Sequence, residues 1–410
     1  MQEDAVTQLE MNRTAAQPPV VSFEDLNSRP HDVFRTYRGD YPVIQRDDGV
    51  FFVLRARDVE ALVADPRTRQ GGTELLAARG VTSGPMVDLF SNAMVFSDGA
   101  AHWRRRKPLS RLFSYRMMRD IRPRIRELAE DLLKEPLRNG TLRVREDFSS
   151  LVPSITIAAI LGIPRSDVPH FTKIAYDVAK SLTTSWTVED VPDIEAATHE
   201  LLSYTEDLME ERRRSPRYDF LSAYVRNVDD AHELSPLEAI NQIAGIIIGG
   251  SDPTRAAIVI QAALLAERPS IWEAVCRDSD LAPAAAMECL RLEPPVASLT
   301  RYSLADIELD GYIIPKGRPL IMSTLSAMRD PEVYDNPDEF DIMRPQVRWH
   351  PAFGGGAHRC LGEALVGIEL EEALLALTGT GKRLELAGEP LKIHGHAGIR
   401  RVDELEVCFV

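Results

Sequence analysis

Cysteine is scarce in this sequence. Its 410 residues contain four, Cys276, Cys289, Cys360 and Cys408, with no C-x-x-C pair among them. That excludes a disulfide framework and a cysteine-based zinc finger, so each thiol is read singly. Long apolar runs are also missing, since no window reaches the eighteen consecutive apolar residues of a membrane span. The N-terminal stretch MQEDAVTQLEMNRTAAQPP has no basic start followed by an apolar run, which excludes a signal peptide. Basic residues are the minority charge, 48 against 63 acidic, a formal charge of −15. That balance argues against general nucleic-acid binding. The expectation is a cytoplasmic protein that engages neither membrane nor nucleic acid. Internal repeats and low-complexity segments are not evident.

What is present is an ordinary globular composition, 44% apolar and 27% charged. The length suits two or three domains of about 150 residues, or one large enzyme fold. Residues 1–20 read as a flexible leader. Pro42–Gln45 and Val50–Leu54, split by Asp47-Asp48-Gly49, read as a hairpin, and Asp58–Ala64 as a short helix. Thr68–Ser97 is rich in glycine and poor in periodicity, which predicts a long irregular connection that binds something or acts as a lid. Long amphipathic helices are expected from Ala101 to about Arg268. After Pro294 the pattern turns to short strands at Val296–Thr300, Ile307–Leu309 and Tyr312–Ile314. A helix is expected over Glu363–Leu377, and the tail Glu404–Val410 alternates like a strand.

One helix breaks its own rules. Ser235-Pro236-Leu237-Glu238 is a strong start, with a capping serine, proline at the first helical position and a capping-box glutamate. The apolar pattern then runs to Ala266, roughly 48 Å at 1.5 Å per residue. Within it sits Gly249-Gly250-Ser251-Asp252-Pro253-Thr254-Arg255. Glycine costs about 1 kcal/mol and proline about 3 kcal/mol in a helix interior, and a buried Asp252 needs a partner. Two readings follow: a distortion where the helix opens beside a flat ligand, or a kink between two helices with Asp252 capping the second.

Phe353-Gly354-Gly355-Gly356-Ala357-His358-Arg359-Cys360-Leu361-Gly362 presents one cysteine at a helix start. Arg359 stands where a dinucleotide fingerprint needs glycine, and no Gly-Lys-Ser/Thr follows, so the phosphate-loop readings fail. A thiolate there gains from the helix N-terminus and from nearby cations. The other three cysteines read as small buried hydrophobes. His394 and His396 lack further ligands at useful spacing for a metal.

The pattern Phe-x-x-Gly-x-His-x-Cys-x-Gly resembles the haem-binding loop of the cytochromes P-450, the haem-thiolate monooxygenases of the soluble bacterial type. The resemblance covers nearly the whole chain after the leader and implies a single catalytic domain over 21–410. The implied fold is mainly α with a smaller β part, a triangular helical prism with a long central helix over the haem. The implied cofactor is haem b, with Cys360 as the axial thiolate that favours O–O cleavage. Phe353 and Gly354 belong to the cofactor loop. His102, Arg106, Arg301 and His358 match contacts to the haem propionates. Glu288 and Arg291, three apart on one helix face, match a structural Glu-x-x-Arg motif, with Arg344 as its later partner. Arg104, Arg105 and Lys107 read as a solvated basic face, which could also receive an acidic redox partner.

The implied reaction is insertion of one atom of O2 into a small organic substrate. Electrons come from NAD(P)H through a separate ferredoxin or flavodoxin and its reductase. The departure is at Pro253, which stands where the family usually has the alcohol that helps protonate bound oxygen. Two routes are then expected, protons arriving through ordered water from Asp252, Ser251 or Thr254, and a substrate hydroxyl standing in for the missing alcohol. A peroxide-driven variant and a haem-thiolate protein that binds without turnover are the alternatives. Motif register places Met86, Leu89, Phe90, Ala244, Ile248, Val296, Ala297, Leu299 and Ile399 around a mainly apolar substrate.

Overall fold

The computed structural model describes residues 16–110, 112–113, 115–183, 186–345, 347 and 349–410, with backbone alone at 115–119. The expected leader lies outside the described residues up to residue 15. From Ala16 onward the chain is tied down, for Ala16 pairs with Tyr312 and Val20–Val21 is already a strand.

The helices that shape the molecule are α1 (Pro85–Asn92), α2 (Gly99–Ser110), α3 (Leu151–Leu161), α4 (Val168–Ala179), α5 (Pro236–Ala266), α6 (Ala282–Leu292) and α7 (Glu363–Thr378). The largest sheet has six strands, β1 (Val20–Val21), β2 (Val43–Arg46), β3 (Phe51–Val53), β4 (Thr68–Gln70), β5 (Ser298–Ser303) and β6 (Pro319–Ser323), in the order β1-β2-β3-β6-β5-β4. The expected hairpin is the β2–β3 pair, with Gly49 at φ +89° in its turn. Strand β6 was not foreseen. It pairs parallel with β3 and antiparallel with β5, and so joins the N-terminal hairpin to the C-terminal strands.

Thr68–Ser97 is not one irregular connection. It contains β4, a short helix at Glu74–Ala77, α1 and a 3-10 turn at Met94–Phe96. Short elements separated by glycines leave too little periodicity to read, and long-range packing settles them.

Helix α5 is the central element. Ser235 caps it, accepting from the Glu238 N–H, and the reciprocal Glu238 contact completes the box. It is long and apolar enough to cross a membrane, which a search for unbroken apolar runs misses, but 72% of its most apolar window is buried inside the protein. The helix neither opens nor divides at Gly249–Thr254; it continues to Ala266. Pro253 removes only the bond to the Gly249 carbonyl. Packing on both sides outweighs that loss, and Gly250 fits so closely against α3 that an added Cβ would lie 2.5 Å from Ile157.

Candidate active site

Cys360 sits between the 3-10 turn Gly356–His358 and the start of α7. Its backbone N–H donates to the Phe353 carbonyl at 2.8 Å, and Phe353 itself is buried. The loop is seated on the N-terminal half of the chain. Gly356 has φ +58°, and a Cβ there would meet that of Ala64 at 3.1 Å, so only glycine fits both the backbone and the space. Cys360 lies deep in the protein, yet its side chain is accessible. Burial pushes the thiol pKa up, while the Gly362 N–H, Arg106 and Arg359 favour the thiolate.

The long helix leaves part of one face open. Most of α5 is buried, but Gly249 is exposed, and a Cβ at Gly245 or Gly249 would meet nothing within 4 Å. Residues four apart share a helix face, so the two glycines form a bare strip against which a flat group can lie.

A cationic cluster stands beside it. Arg301 is buried, donates to Gln70 Oε1 and the Thr300 carbonyl, both at 2.9 Å, and pairs with no carboxylate among the described residues. Desolvation brings its pKa down to about 10. The His102 and His358 rings lie 4.0 Å apart. Carbonyls of Met94 and Ala357 flank the two His102 nitrogens at 2.9 and 3.0 Å. His358 contacts Asp98 at 3.2 Å; burial, His102 and Arg301 lower its pKa to about 4. Asp98 also accepts from the Gln70 N–H at 2.7 Å. Sequence reasoning missed Gln70 and Asp98, whose neighbours in sequence carry no motif. Arg106 donates to the Arg359 carbonyl at 2.7 Å and so braces the cysteine loop.

These features fit a haem: an accessible thiol, a bare glycine strip, and a buried guanidinium with no acidic partner among the described residues, which a propionate would supply.

A cavity of about 600 Å³ adjoins the cluster. Arg301, His358 and Gly354 line it, as do Phe90, Val296, Leu299 and Ile399 among the expected substrate contacts. Met86, Leu89, Ala244, Ile248 and Ala297 are instead packed in the core. On α5 the open positions are Gly245 and Gly249, each one residue past the expected contact.

The three residues expected to move protons differ in their commitments. Asp252 is buried and ion-paired with Arg255. Burial raises its pKa and Arg255 opposes the rise. Arg255 lies over the Tyr176 ring at 3.8 Å, and Tyr176 donates to the Ser150 carbonyl at 2.9 Å. Ser251 donates to the Ile247 carbonyl at 2.7 Å. Thr254 Oγ1 is buried and finds no partner among the described residues.

The basic run of α2 is not a solvated face. Arg104 and Arg105 both clamp Glu238 at the start of α5, at 2.6 and 2.9 Å, and Arg105 is buried. Lys107 pairs with Glu233 at 3.0 Å. The buried acid at the helix N-terminus holds Arg104 and Arg105. Glu288 and Arg291 form a two-bond pair at 2.7 and 2.8 Å. Arg344 reaches the same Glu288 at 3.3 Å, and Arg291 also holds the carbonyls of Met328, Pro337 and Glu339.

Fold and site together define a haem-thiolate protein. The chain belongs to the cytochrome P450 family, whose model matches residues 87–377. It is 42% identical over 390 residues to the plant-inducible cytochrome P450-pinF1 of Rhizobium radiobacter, covering 95% of this chain and 92% of that protein. It is 30% identical to nocardicin C N-oxygenase of Nocardia uniformis subsp. tsuyamanensis, covering 92% and 95%. Among solved structures, the myxobacterial cytochrome P450 CYP267B1 in complex with myristic acid superposes with a TM-score of 0.85 at 29% identity, covering 95% of this chain and 99% of that one. The fold is thus the mostly helical P450 fold, and the chain is a monooxygenase of that family.

Proposed function

We propose that this monooxygenase holds haem b through Cys360 and inserts one oxygen atom from O2 into a mainly apolar small molecule in the cytoplasm. Its electrons come from NAD(P)H through a separate ferredoxin or flavodoxin and a reductase. The observation that carries the reading is the accessible Cys360 thiol in a loop seated beside the buried Arg301, which pairs with no carboxylate among the described residues. When bound, the haem supplies O2 activation at its iron.

The protein's part is orientation and proton handling. Gly245 and Gly249 admit the flat group, and Arg301 and His358 receive its acidic edge. The cavity wall of Phe90, Phe96, Leu182, Val296, Leu299 and Ile399 excludes water from an apolar substrate. Asp252 keeps a proton more readily than a solvated carboxyl does, because burial disfavours its anion. Arg255, fixed over Tyr176, holds that carboxyl in place. Thr254 is the hydroxyl free to take the proton onward, since Ser251 spends its hydrogen on the helix backbone.

Asp252→Asn is therefore expected to slow substrate-dependent NAD(P)H consumption by about 10²-fold, within the range for a positioned proton donor, with surrogate ferredoxin and reductase. Thr254→Ala should divert reducing equivalents to peroxide, and Ser251→Ala should leave coupling near that of the native protein. Equal effects of the two hydroxyl deletions would contradict this assignment.

A further inference from the structure

The Asp252 carboxyl has one hydrogen-bonding partner among the described residues, Arg255, a turn further along α5. The dependence is mutual. Asp252 is also the one partner that the Arg255 guanidinium finds among those residues, and its Nε is buried with none. A guanidinium carries more N–H donors than one carboxylate oxygen can hold, so this contact alone fixes Arg255 poorly.

What else holds it is a ring from another helix. Tyr176 of α4 lies under the guanidinium, with the ring centroid 3.8 Å from the guanidinium carbon. That ring is fixed at its far edge. The Tyr176 hydroxyl donates to the Ser150 carbonyl at 2.9 Å, just before α3, and lies 3.1 Å from the Ser154 hydroxyl within α3. Burial pushes the Tyr176 pKa up to about 12. The ring is therefore uncharged at neutral pH and attracts Arg255 through its π face, an attraction that grows as water is excluded.

Three groups face Asp252. Arg255 comes from its own helix, Tyr176 from α4, and Arg401 from the tail strand Arg401–Val402, which touches α5. Burial raises the Asp252 pKa; Arg255 opposes it most, and Arg401 adds less. A guanidinium held against a carboxyl favours the anion, and the same guanidinium turned into solvent does not. Without the ring, Arg255 is free to turn outward, and Asp252 keeps its proton to higher pH.

We propose that Tyr176 is a positioning residue for proton supply: its ring keeps Arg255 against Asp252 and so sets how readily that acid releases its proton. Tyr176 acts through Arg255 and not by giving a proton of its own, since its hydroxyl spends that hydrogen on Ser150. The use of the Asp252 proton in turnover rests on the proposed monooxygenase reading; the tuning does not.

The test is an infrared titration of the haem-loaded protein between about pH 5 and pH 9. The carbonyl band of protonated Asp252 is identified by its absence in Asp252→Asn. Tyr176→Leu is expected to raise the midpoint of that band by about one pH unit or more, a roughly tenfold change in proton affinity. Tyr176→Met, a second ring-free variant, should do the same, so the result does not hang on the folding of one protein. Tyr176→Phe keeps the ring and should stay within about 0.3 pH unit of the native chain. Arg255→Gln should raise the midpoint by itself, and adding Tyr176→Leu to it should change nothing further, because the ring has lost the group it acts on. An unmoved midpoint in the ring-free variants, an equal shift in Tyr176→Phe, a shift that persists in full beside Arg255→Gln, or an Asp252 band that is missing or constant across the range would overturn the proposal. The pH profile of substrate-dependent NAD(P)H consumption separates the two claims. A midpoint that moves while the profile stays put sinks the part of Asp252 in turnover alone. An unmoved midpoint in a protein that turns over and shows the thiolate-haem band sinks this inference alone.

Discussion

Glu369 should make the protein less stable in alkali than a neutral side chain at the same position would. It lies in α7, fully buried, and neither of its carboxyl oxygens finds a hydrogen-bond partner among the described residues. Thr156, which favours the ionised form, gives its hydroxyl to the Val152 carbonyl at 2.8 Å. Burial pushes the Glu369 pKa from 4.5 up to about 8. Below pH 4.5 the folded and unfolded chains both hold the proton. Between pH 4.5 and 8 the unfolded chain releases it while the folded one retains it, so stability falls as pH rises through that window and levels off above it. Each pH unit of separation is worth about 1.4 kcal/mol, which puts the full loss on the order of 5 kcal/mol as an upper bound. Glu369→Gln keeps the shape and removes the titration. In urea unfolding of the haem-loaded protein, the variant should roughly match the native chain at pH 5. At pH 9 it should exceed it by about 2–5 kcal/mol. A difference between the two proteins that stays constant from pH 5 to pH 9 would refute the reasoning.

Glu238→Gln should destabilise the protein by about 3 kcal/mol at pH 7, because it unpairs Arg105 and weakens the cap of α5. The Arg104 hydrogen bonds, with Arg105 and the Ser235 N–H, hold the Glu238 pKa down at about 2. Its contribution is therefore complete above pH 4.5 and disappears as pH falls toward 2, so urea midpoints of the two proteins should converge in acid. Pro253→Thr restores both an N–H for the Gly249 carbonyl and a hydroxyl. It should raise stability by about 1–3 kcal/mol and improve the coupling of NAD(P)H use to product when the substrate carries no hydroxyl of its own. Unchanged or poorer coupling would contradict the missing-relay account.

Much of this architecture is legible in the sequence because the determinants are local. The start of α5 is written in Ser235, Pro236 and Glu238, and the hairpin in its Asp47-Asp48-Gly49 turn. The cysteine loop is legible because its glycines and thiol are fixed by adjoining residues. What escaped depends on distant partners. The α2 arginines look solvated until Glu238, more than 130 residues away in the chain, folds against them. Strand β6 is short and gains its identity from β3 and β5. Glu369 resembles a solvent-facing helix residue, since nothing nearby in sequence reveals that its face of α7 is buried. Ala244 and Ile248 on α5 are packed in the core, which an almost uninterrupted apolar run does not reveal because it carries no phase.

The most direct test of the account is the carbon monoxide difference spectrum of the dithionite-reduced protein, recorded for the native chain and for Cys360→Ser. The expected result is a Soret band at the position of thiolate-ligated haem in the native protein and its loss in the variant. A folded, haem-loaded native protein showing only a histidine-type or neutral-thiol band, or a thiolate band that survives Cys360→Ser, would contradict the assignment of Cys360 and the chemistry built on it.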